Sequence, residues 1–499
     1  MDKDRSSQKQ ILKATGIMGG AKVISILIRI VRVKIIAVLL GPTGVGIVGL
    51  YQSTLEIVQS ATSLGLGFSA VRDVAEAAGT NDQQRIGRTI TILRRWVWLT
   101  GLLGMTMLLL FREQFSRYAF NDTGHTFYFV MLAVVPLFAA ISGGQLALLQ
   151  GIRRIGDMAR AGVLGAAAGL CITAPLYWLM GIKGIVPALI ISALADLGLS
   201  YYFARKVTIT PVIINWRETL TGGSGMIRLG IFTVITGLAT TGSMYLVRIF
   251  ISGQMGVDGV GQFQAAWNLS ATYVGLILGA MAADYFPRLS AVNQDNVQAC
   301  KLVNEQTEIS LLLAGPLIVG MICFMDMIVW LFYSAQFGQS INILLWQSLG
   351  NLLKVISWPM GFLLLAKDRG SYYIFTELLW NALFLATIWL LWDRSGIEST
   401  GIAFLVGYLV FTGVIYAICK RMCGFTWSRK NIKAILLYTS LSILAFINTK
   451  YHSLPYWQIY GTGLLAAAML YSYYEMKQIV DIRQTINKVL IKVGLRKVQ

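Results

Sequence analysis

Six cationic residues, Lys22, Arg29, Arg32, Lys34, Arg248 and Lys354, fall inside stretches that are otherwise apolar enough to lie in a membrane. A charge at the bilayer centre is costly, so such residues normally face a bundle interior or a wet cavity. Arg29 and Arg32 are three apart and share a helix face, and Lys22 sits seven before Arg29 on nearly the same stripe. Lys34 points about 200° away from Arg32, at 100° per residue. The acids available within spans are fewer: Glu56, Asp196, Asp326 and Glu377, with Asp284 near a span end. Pairing, for example of Arg29 with Glu56 on the next helix, is the plain structural reading, and Lys22 is near enough to a helix end to snorkel. Pairing does not neutralise the whole set. A net-cationic cavity accounts for the cations jointly, and its natural guest carries concentrated negative charge, such as phosphate held by arginine forks and lysine point charges. Glu56, Asp196 and Glu377 are candidates for charge pairing or for coupling to H⁺ or Na⁺; no other cofactor is implied.

These side chains need helices to position them. The chain has 499 residues, of which 56 % are hydrophobic and 13 % charged, whereas a soluble chain carries about 25 % charged residues. Repeated apolar runs of roughly 20 residues indicate an all-α integral membrane protein. The first run is too long and too charged for a signal peptide. Fourteen spans are expected, at about 14–40, 46–71, 91–111, 126–150, 161–180, 185–204, 227–252, 262–286, 309–331, 341–365, 371–391, 401–418, 432–448 and 456–475. With the N-terminus inside, 31 of the 42 Lys and Arg residues fall on the inner side, counting Arg94, Arg95, Arg228 and Lys433 at the inner ends of their spans, and 5 on the outer. That asymmetry places both termini in the cytoplasm. It also makes the net charge of +19 a topology signal, with no nucleic acid required.

The chain repeats itself. "GPTGVG" at 41–46 recurs as "GVDGVG" at 256–261, an offset of 215 that also aligns Ile141-Ser142 with Ile356-Ser357 and Arg154 with Arg369. An offset covering six spans makes the copies parallel, the arrangement of a two-lobed transporter with a cavity between the lobes. The expected organisation is a cytoplasmic segment 1–13, an N-lobe 14–222, a C-lobe 223–425, two additional helices within 426–476 and a basic cytoplasmic tail 477–499.

Other features are structural. Gly16 and Gly20, Gly165 and Gly169, and Gly275 and Gly279 are small residues four apart, the pattern of close helix packing. Pro136, Pro175, Pro316 and Pro359 are candidate kinks. Trp96, Trp98, Trp392 and Trp457 suit the membrane interface. Cys419 and Cys423 lack the second pair or histidine cluster that a metal site needs. There is no Walker motif, and His125 and His452 both fall in outward loops. No loop is long enough to hold a catalytic domain.

Two stretches carry a resemblance. "KIIAVLLGPTGVGIVGLYQS" (34–53) resembles the first-to-second helix turn of the Wzx-type polysaccharide flippases. "WQSLGNLLKVISWPMGFLLLAKDRGSYYIFTELLW" (346–380) resembles the tenth and eleventh helices of O-antigen and enterobacterial-common-antigen translocases. The likeness in span order covers most of residues 10–425, and the terminal pair of spans departs from twelve-span relatives. The resemblance implies the fold shared by multidrug exporters, oligosaccharidyl-lipid flippases and lipid II flippases: two six-helix bundles around a cavity that opens alternately to each side. It implies an undecaprenyl-diphosphate-linked oligosaccharide, an O-antigen repeat unit or similar, as substrate in the bacterial inner membrane. Membrane lipids are the surroundings, and a polysaccharide polymerase and chain-length regulator are candidate partners. Cavity cations of the family map onto Lys34 and Lys354, whereas Arg29, Arg32 and Arg248 rest on the charge argument. Of the rivals, a cation-drug exporter of the same fold would need an acid-rich cavity. A membrane O-antigen polymerase or ligase would need a large outward loop, so an enzyme is not expected.

Overall fold

A computed structural model describes residues 2–80, 82–210, 212–451 and 457–479. Its regular structure is helical. From the N-terminus run α1 (Asp2–Thr62), α2 (Leu66–Gly79), α3 (Gln83–Leu110), α4 (Arg112–Phe120), α5 (Thr126–Leu132), α6 (Val134–Gly151), α7 (Ile155–Met180), α8 (Ile185–Ala204) and α9 (Trp216–Ala291). There follow α10 (Asn296–Cys323), α11 (Met325–Phe332), α12 (Gly338–Ala366), α13 (Gly370–Ser395), α14 (Ser399–Cys423), α15 (Arg429–Tyr451) and α16 (Trp457–Ile479). His452, and the basic tail beyond Ile479, lie outside the described residues.

Seven helical stretches among the described residues are long and apolar enough to cross a membrane, or eight with the bent pair Gly237–Gly279 and Asp284–Ala291. This is a multi-pass membrane protein. Two of the stretches, Ile155–Ala204 and Gly370–Cys423, hold 50 and 54 residues. Straight helices of that size would extend roughly 75–80 Å, more than twice the ~30 Å apolar core of a bilayer. Each is instead a hairpin. The first turns at the short 3₁₀ segment Gly181–Gly184 and the second at Gly396–Glu398, and α7 packs on α8 as α13 packs on α14. The bare flanks of Trp178, Leu179, Trp389 and Leu390 are largely exposed, as a lipid-facing surface requires.

The backbone bends recur at the offset read from the sequence. Gly41 (φ 63°, ψ −165°) breaks α1, and Gly256 (φ 70°, ψ −169°) breaks α9 in the same way. Gly181 (φ 56°) and Gly396 (φ 52°), and Arg153 (φ 60°) and Asp368 (φ 55°), are likewise 215 residues apart. A positive φ with extended ψ is open to glycine and strained for other residues, so "GPTGVG" and "GVDGVG" encode the breaks directly. Pro42 then starts the second arm of α1, where its missing N–H costs nothing. Asp82 and Asp295 cap α3 and α10, each accepting from two backbone amides of the first turn.

Several spans differ from the expected bounds. Residues 46–71 do not run through: Leu64 (φ 50°) and Gly65 (φ 69°) end α1 and begin α2 in a new direction. The stretch 309–331 is interrupted at Phe324, whose backbone (φ −118°, ψ 29°) leaves the helix, whereas Thr126–Gly151 stays one apolar span through Ala133 (φ −60°, ψ −23°).

The chain forms two compact units. The first comprises residues 1–265 together with 331–337, and the second 266–330 together with 338–499. Residues 256–265 join the first unit through close backbone packing. A Cβ on Gly46 would lie 2.1 Å from the Val257 carbonyl oxygen, and one on Gly261 would lie 2.0 Å from that of Pro42. In the second unit α10 is the hub, contacting α12, α15 and α16. The ring of Tyr438 fills the space at Gly315, and the Ser472 hydroxyl donates to the Leu312 carbonyl at 2.8 Å.

Candidate functional site

The first arm of α1 carries Lys22, Arg29, Arg32 and Lys34 as a single helix, so their angular spacing follows from the sequence. α7 packs along α1 and presents Gly165 and Gly169. A Cβ on Gly169 would lie 3.0 Å from Arg32 Nη1, and one on Gly165 would lie 2.3 Å from Asp196 Oδ1. The glycine pair therefore makes room for a guanidinium and a carboxylate, where the sequence pattern suggested helix-to-helix packing. Gly20, Gly275 and Gly279 have nothing within 4 Å of a built Cβ and form no close seam either. Asp196, on α8, stands in the field of Arg32 and, more weakly, of Arg29. The Tyr177 hydroxyl of α7 also faces Arg32. Arg29 and Asp196 are exposed and Arg32 is half-buried.

Arg248 sits on the first arm of α9, only 5 % exposed. Its Nε donates to Gln264 Oε1 at 2.8 Å, while Nη1 is buried without a hydrogen-bond partner among the described residues. Gly49 opens the space for that glutamine, since a Cβ there would stand 3.1 Å from the same Oε1. The charge facing Arg248 is Glu56. Glu56 thus belongs with Arg248, and Arg29 belongs with Asp196. The charge acting on Glu56 is that of Arg248, not the Arg29 suggested from helix adjacency. Lys34 donates instead to the backbone carbonyl of Tyr333.

Lys354 lies in the second unit, on α12. Its Nζ is 5.7 Å from the centre of the Tyr408 ring, within cation–π range. Glu377 of α13 supplies the nearby negative charge, and the Tyr373 hydroxyl faces that carboxylate. Asn381 donates to the Glu377 carbonyl at 2.8 Å, fixing one turn of α13. Asp284 pairs with Arg288 one turn away at 3.2 Å, apart from this group.

The five cations expected to bind an anion therefore occupy four surroundings: Arg29 with Arg32 beside Asp196, Arg248 beside Glu56, Lys34 against a carbonyl, and Lys354 beside Glu377. A cavity of about 150 Å³ in the first unit is lined by residues such as Gln59, Thr62, Leu93, Pro136 and Gly144 and contains none of them. Sequence reasoning missed Tyr177, Gln264, Tyr333 and Tyr408, which act on the cations through space and carry no motif. It also read Cys419 and Cys423 as isolated thiols, whereas Cys423 Sγ lies 3.5 Å from Cys300 Sγ on α10 and 3.1 Å from the Cys419 carbonyl.

Residues 35–342 match a family described as polysaccharide biosynthesis protein. The chain is 22 % identical over 411 residues to the lipid III flippase of Escherichia coli (strain K12), covering 80 % of this chain and 94 % of that one. The same figures hold for the lipid III flippase of Shigella flexneri. Among solved structures, an inward-facing multidrug resistance transporter of the MATE family superposes with a TM-score of 0.67 at 15 % identity, over 80 % of this chain and 94 % of its own. The lipid II flippase MurJ in an inward closed conformation does so with 0.64 at 12 %, over 87 % and 97 %.

Proposed function

Because the chain belongs to this polysaccharide biosynthesis protein family, we propose that it is a flippase that moves a lipid-diphosphate-linked oligosaccharide across the membrane by alternating access. The cargo is an undecaprenyl-diphosphate-linked glycan such as an O-antigen repeat unit, carried from the cytoplasmic to the periplasmic leaflet of a bacterial inner membrane. The relatives named as lipid III flippases support this class of cargo. The charge asymmetry supports cytoplasmic termini, and the bends repeated at 215 residues support two parallel six-helix lobes within a fourteen-span chain. In that orientation the Gly41 and Gly256 bends face the periplasm.

One observation supports the reading: two guanidinium groups, Arg29 and Arg32, both act electrostatically on the one carboxylate of Asp196. That leaves an excess positive charge about 18 Å below the Gly41 bend, counting 1.5 Å per residue, near the middle of the bilayer. Two forks at that depth suit the oxygens of a diphosphate. Arg248 offers a buried Nη1, and Lys34 and Lys354 complete the candidate set. The residue types need no chemistry beyond binding and release, in keeping with a transporter. Glu56, Asp196 and Glu377 each face a cation, which disfavours a cationic drug as cargo and leaves these three as candidates for H⁺ or Na⁺ coupling.

Cells lacking the protein should accumulate the lipid-linked glycan in the inner leaflet while polymer disappears outside. Intermediates that cross normally, with only their polymerisation lost, would replace the flippase reading with a polymerase.

A further inference from the structure

The segment 331–337 belongs to the first compact unit, although the chain on both sides of it belongs to the second. It is held at three points. Lys34 of α1 donates to the Tyr333 carbonyl. Gln262 of α9 donates from Nε2 to the Gln336 carbonyl at 2.8 Å. The Gln336 side chain reaches the α1 bend itself, its Oε1 standing 2.7 Å from where a Cβ on Gly41 would be. The rings of Tyr333 and Phe337 are buried, 4.9 Å apart. Beneath this segment the two repeat turns interlock. Besides the Gly46–Val257 and Gly261–Pro42 approaches, Thr43 Oγ1 donates to Asp258 Oδ1 at 2.5 Å. These two residues are themselves 215 apart, so the copies meet at equivalent positions.

From this arrangement we infer that residues 331–337 form a strap that holds the periplasmic face shut, and that Lys34 is its release catch, opened when the diphosphate of the cargo takes the ammonium group from the Tyr333 carbonyl. The inference rests on the flippase reading for its trigger, while the strap itself rests on the contacts alone. The direction of the exchange follows from charge. The bond from the ammonium is charge-assisted with either acceptor, but only an ionised phosphate oxygen adds an opposite charge, whose Coulombic attraction the carbonyl lacks. A ligand shifts a conformational equilibrium only by its differential affinity for the two states. Here the difference is built in, because the strapped state engages Lys34 with the carbonyl and the released state frees it for the anion. Cargo arrival would thus loosen the exit, and loss of the cargo would let the strap close again. Lys34 acts as a positioning residue for the gate, through Tyr333, in addition to touching cargo.

The test uses the full-length protein in lipid nanodiscs carrying Ser334→Cys. The Ser334 hydroxyl is buried and without a hydrogen-bond partner among the described residues, so the thiol substitutes at little cost and is shielded while the strap is down. The readout is the rate of modification at position 334 by a hydrophilic maleimide, followed at peptide level by mass spectrometry so that the native cysteines do not interfere. Without any ligand, Lys34→Met should raise the rate at least tenfold and Lys34→Arg should leave it near the parent. Gln262→Ala, which removes the second anchor, should also raise it and serves if Lys34→Met does not fold. In the parent, undecaprenyl diphosphate in the nanodisc should raise the rate, and in Lys34→Met it should add nothing further. An unchanged rate in both Lys34→Met and Gln262→Ala overturns the strap. A rate insensitive to undecaprenyl diphosphate, in protein that native mass spectrometry shows to have bound it, overturns the catch. Failure of the parent to bind that lipid contradicts the flippase reading and the trigger with it, while the ligand-free arm still decides whether the strap exists.

Discussion

The two sequence copies share their bends and divide their charges. Gly41, Arg153 and Gly181 recur as Gly256, Asp368 and Gly396 with closely similar backbone angles. Yet the counterparts of Arg29, Arg32 and Asp196, 215 residues on, are Met244, Val247 and Phe411, and those of Lys354 and Glu377 in the first copy are Ala139 and Gly162. Arg29, Arg32, Asp196, Lys354 and Glu377 are therefore each a feature of one copy, set against uncharged residues in the other, whereas Lys34 and Arg248 fall within one residue of the same offset. A repeated backbone supplies equivalent hinges, which a carrier that opens to both sides can use. The binding chemistry is not repeated, so the cargo meets different surroundings in the two copies. The first copy offers an open pair of guanidiniums with a net positive charge. The second offers Arg248, in the field of Glu56, and Lys354, in the field of Glu377 and faced by the Tyr408 ring.

That difference predicts unequal effects. Removing both guanidiniums with Arg29→Ala and Arg32→Ala should reduce transport more than a hundredfold while the protein still inserts. Each charge-assisted contact contributes about 1.5–3 kcal/mol, or roughly ten- to a hundredfold in binding. Arg→Lys at either site should rescue only in part, because an ammonium cannot reproduce the fork. Lys354→Ala should cost less, on the order of tenfold, since its charge is already compensated. Equal losses from the two sites, measured as initial export rates at matched expression, would remove the asymmetry.

A smaller effect separates space from charge. Gly169→Ala places a methyl group 3.0 Å from Arg32 Nη1, so the guanidinium must shift, and transport should fall severalfold with little change in melting temperature. Gly162→Ala, the position matching Glu377, meets nothing within 4 Å. It should leave transport unchanged and stabilise α7 by up to about 1 kcal/mol through helix propensity. Similar transport in both variants would show that α7 does not position Arg32.

Much of this was legible beforehand. "GPTGVG" and "GVDGVG" announce glycine-dependent breaks because few other residues adopt that backbone, and the cations announce themselves by their cost in lipid. Which acid meets which cation was not legible. Asp196 and Arg32 each occupy room left by a glycine of α7, Gly165 and Gly169, and that room depends on how three helices pack. The strap was equally hidden: Tyr333 contributes a backbone carbonyl, which no side-chain pattern can signal. The interruption at Leu64 and Gly65 sits within an apolar run where hydropathy gives no warning.

The smallest predicted effect lies outside the spans, in the first copy alone. The His125 ring stacks on Phe120 with centres 3.7 Å apart, and its Nδ1 is 2.6 Å from the Tyr51 hydroxyl. Burial holds the imidazole below its ordinary value, with Asp122 pulling more weakly upward. The unfolded chain therefore takes up a proton first as pH falls. Stability is fully present above the unfolded value of about 6.5 and is lost as pH drops through it toward the folded one. Melting temperature should fall modestly between pH 7.5 and 5.5, and His125→Phe should flatten that slope. An unaltered slope would mean that other groups carry the acid sensitivity.

The central claim is that the cations of the first copy recognise a diphosphate and that recognition drives transfer. The direct measurement reconstitutes the purified protein in liposomes with a fluorescent polyprenyl-diphosphate saccharide and follows its movement between leaflets by quenching from one side. The account predicts rapid transfer by the parent protein, none above protein-free liposomes by the Arg29→Ala, Arg32→Ala variant, and none for a saccharide lipid lacking the diphosphate. Transfer by the double variant at the parent rate, or equal transfer of the lipid without diphosphate, would contradict it.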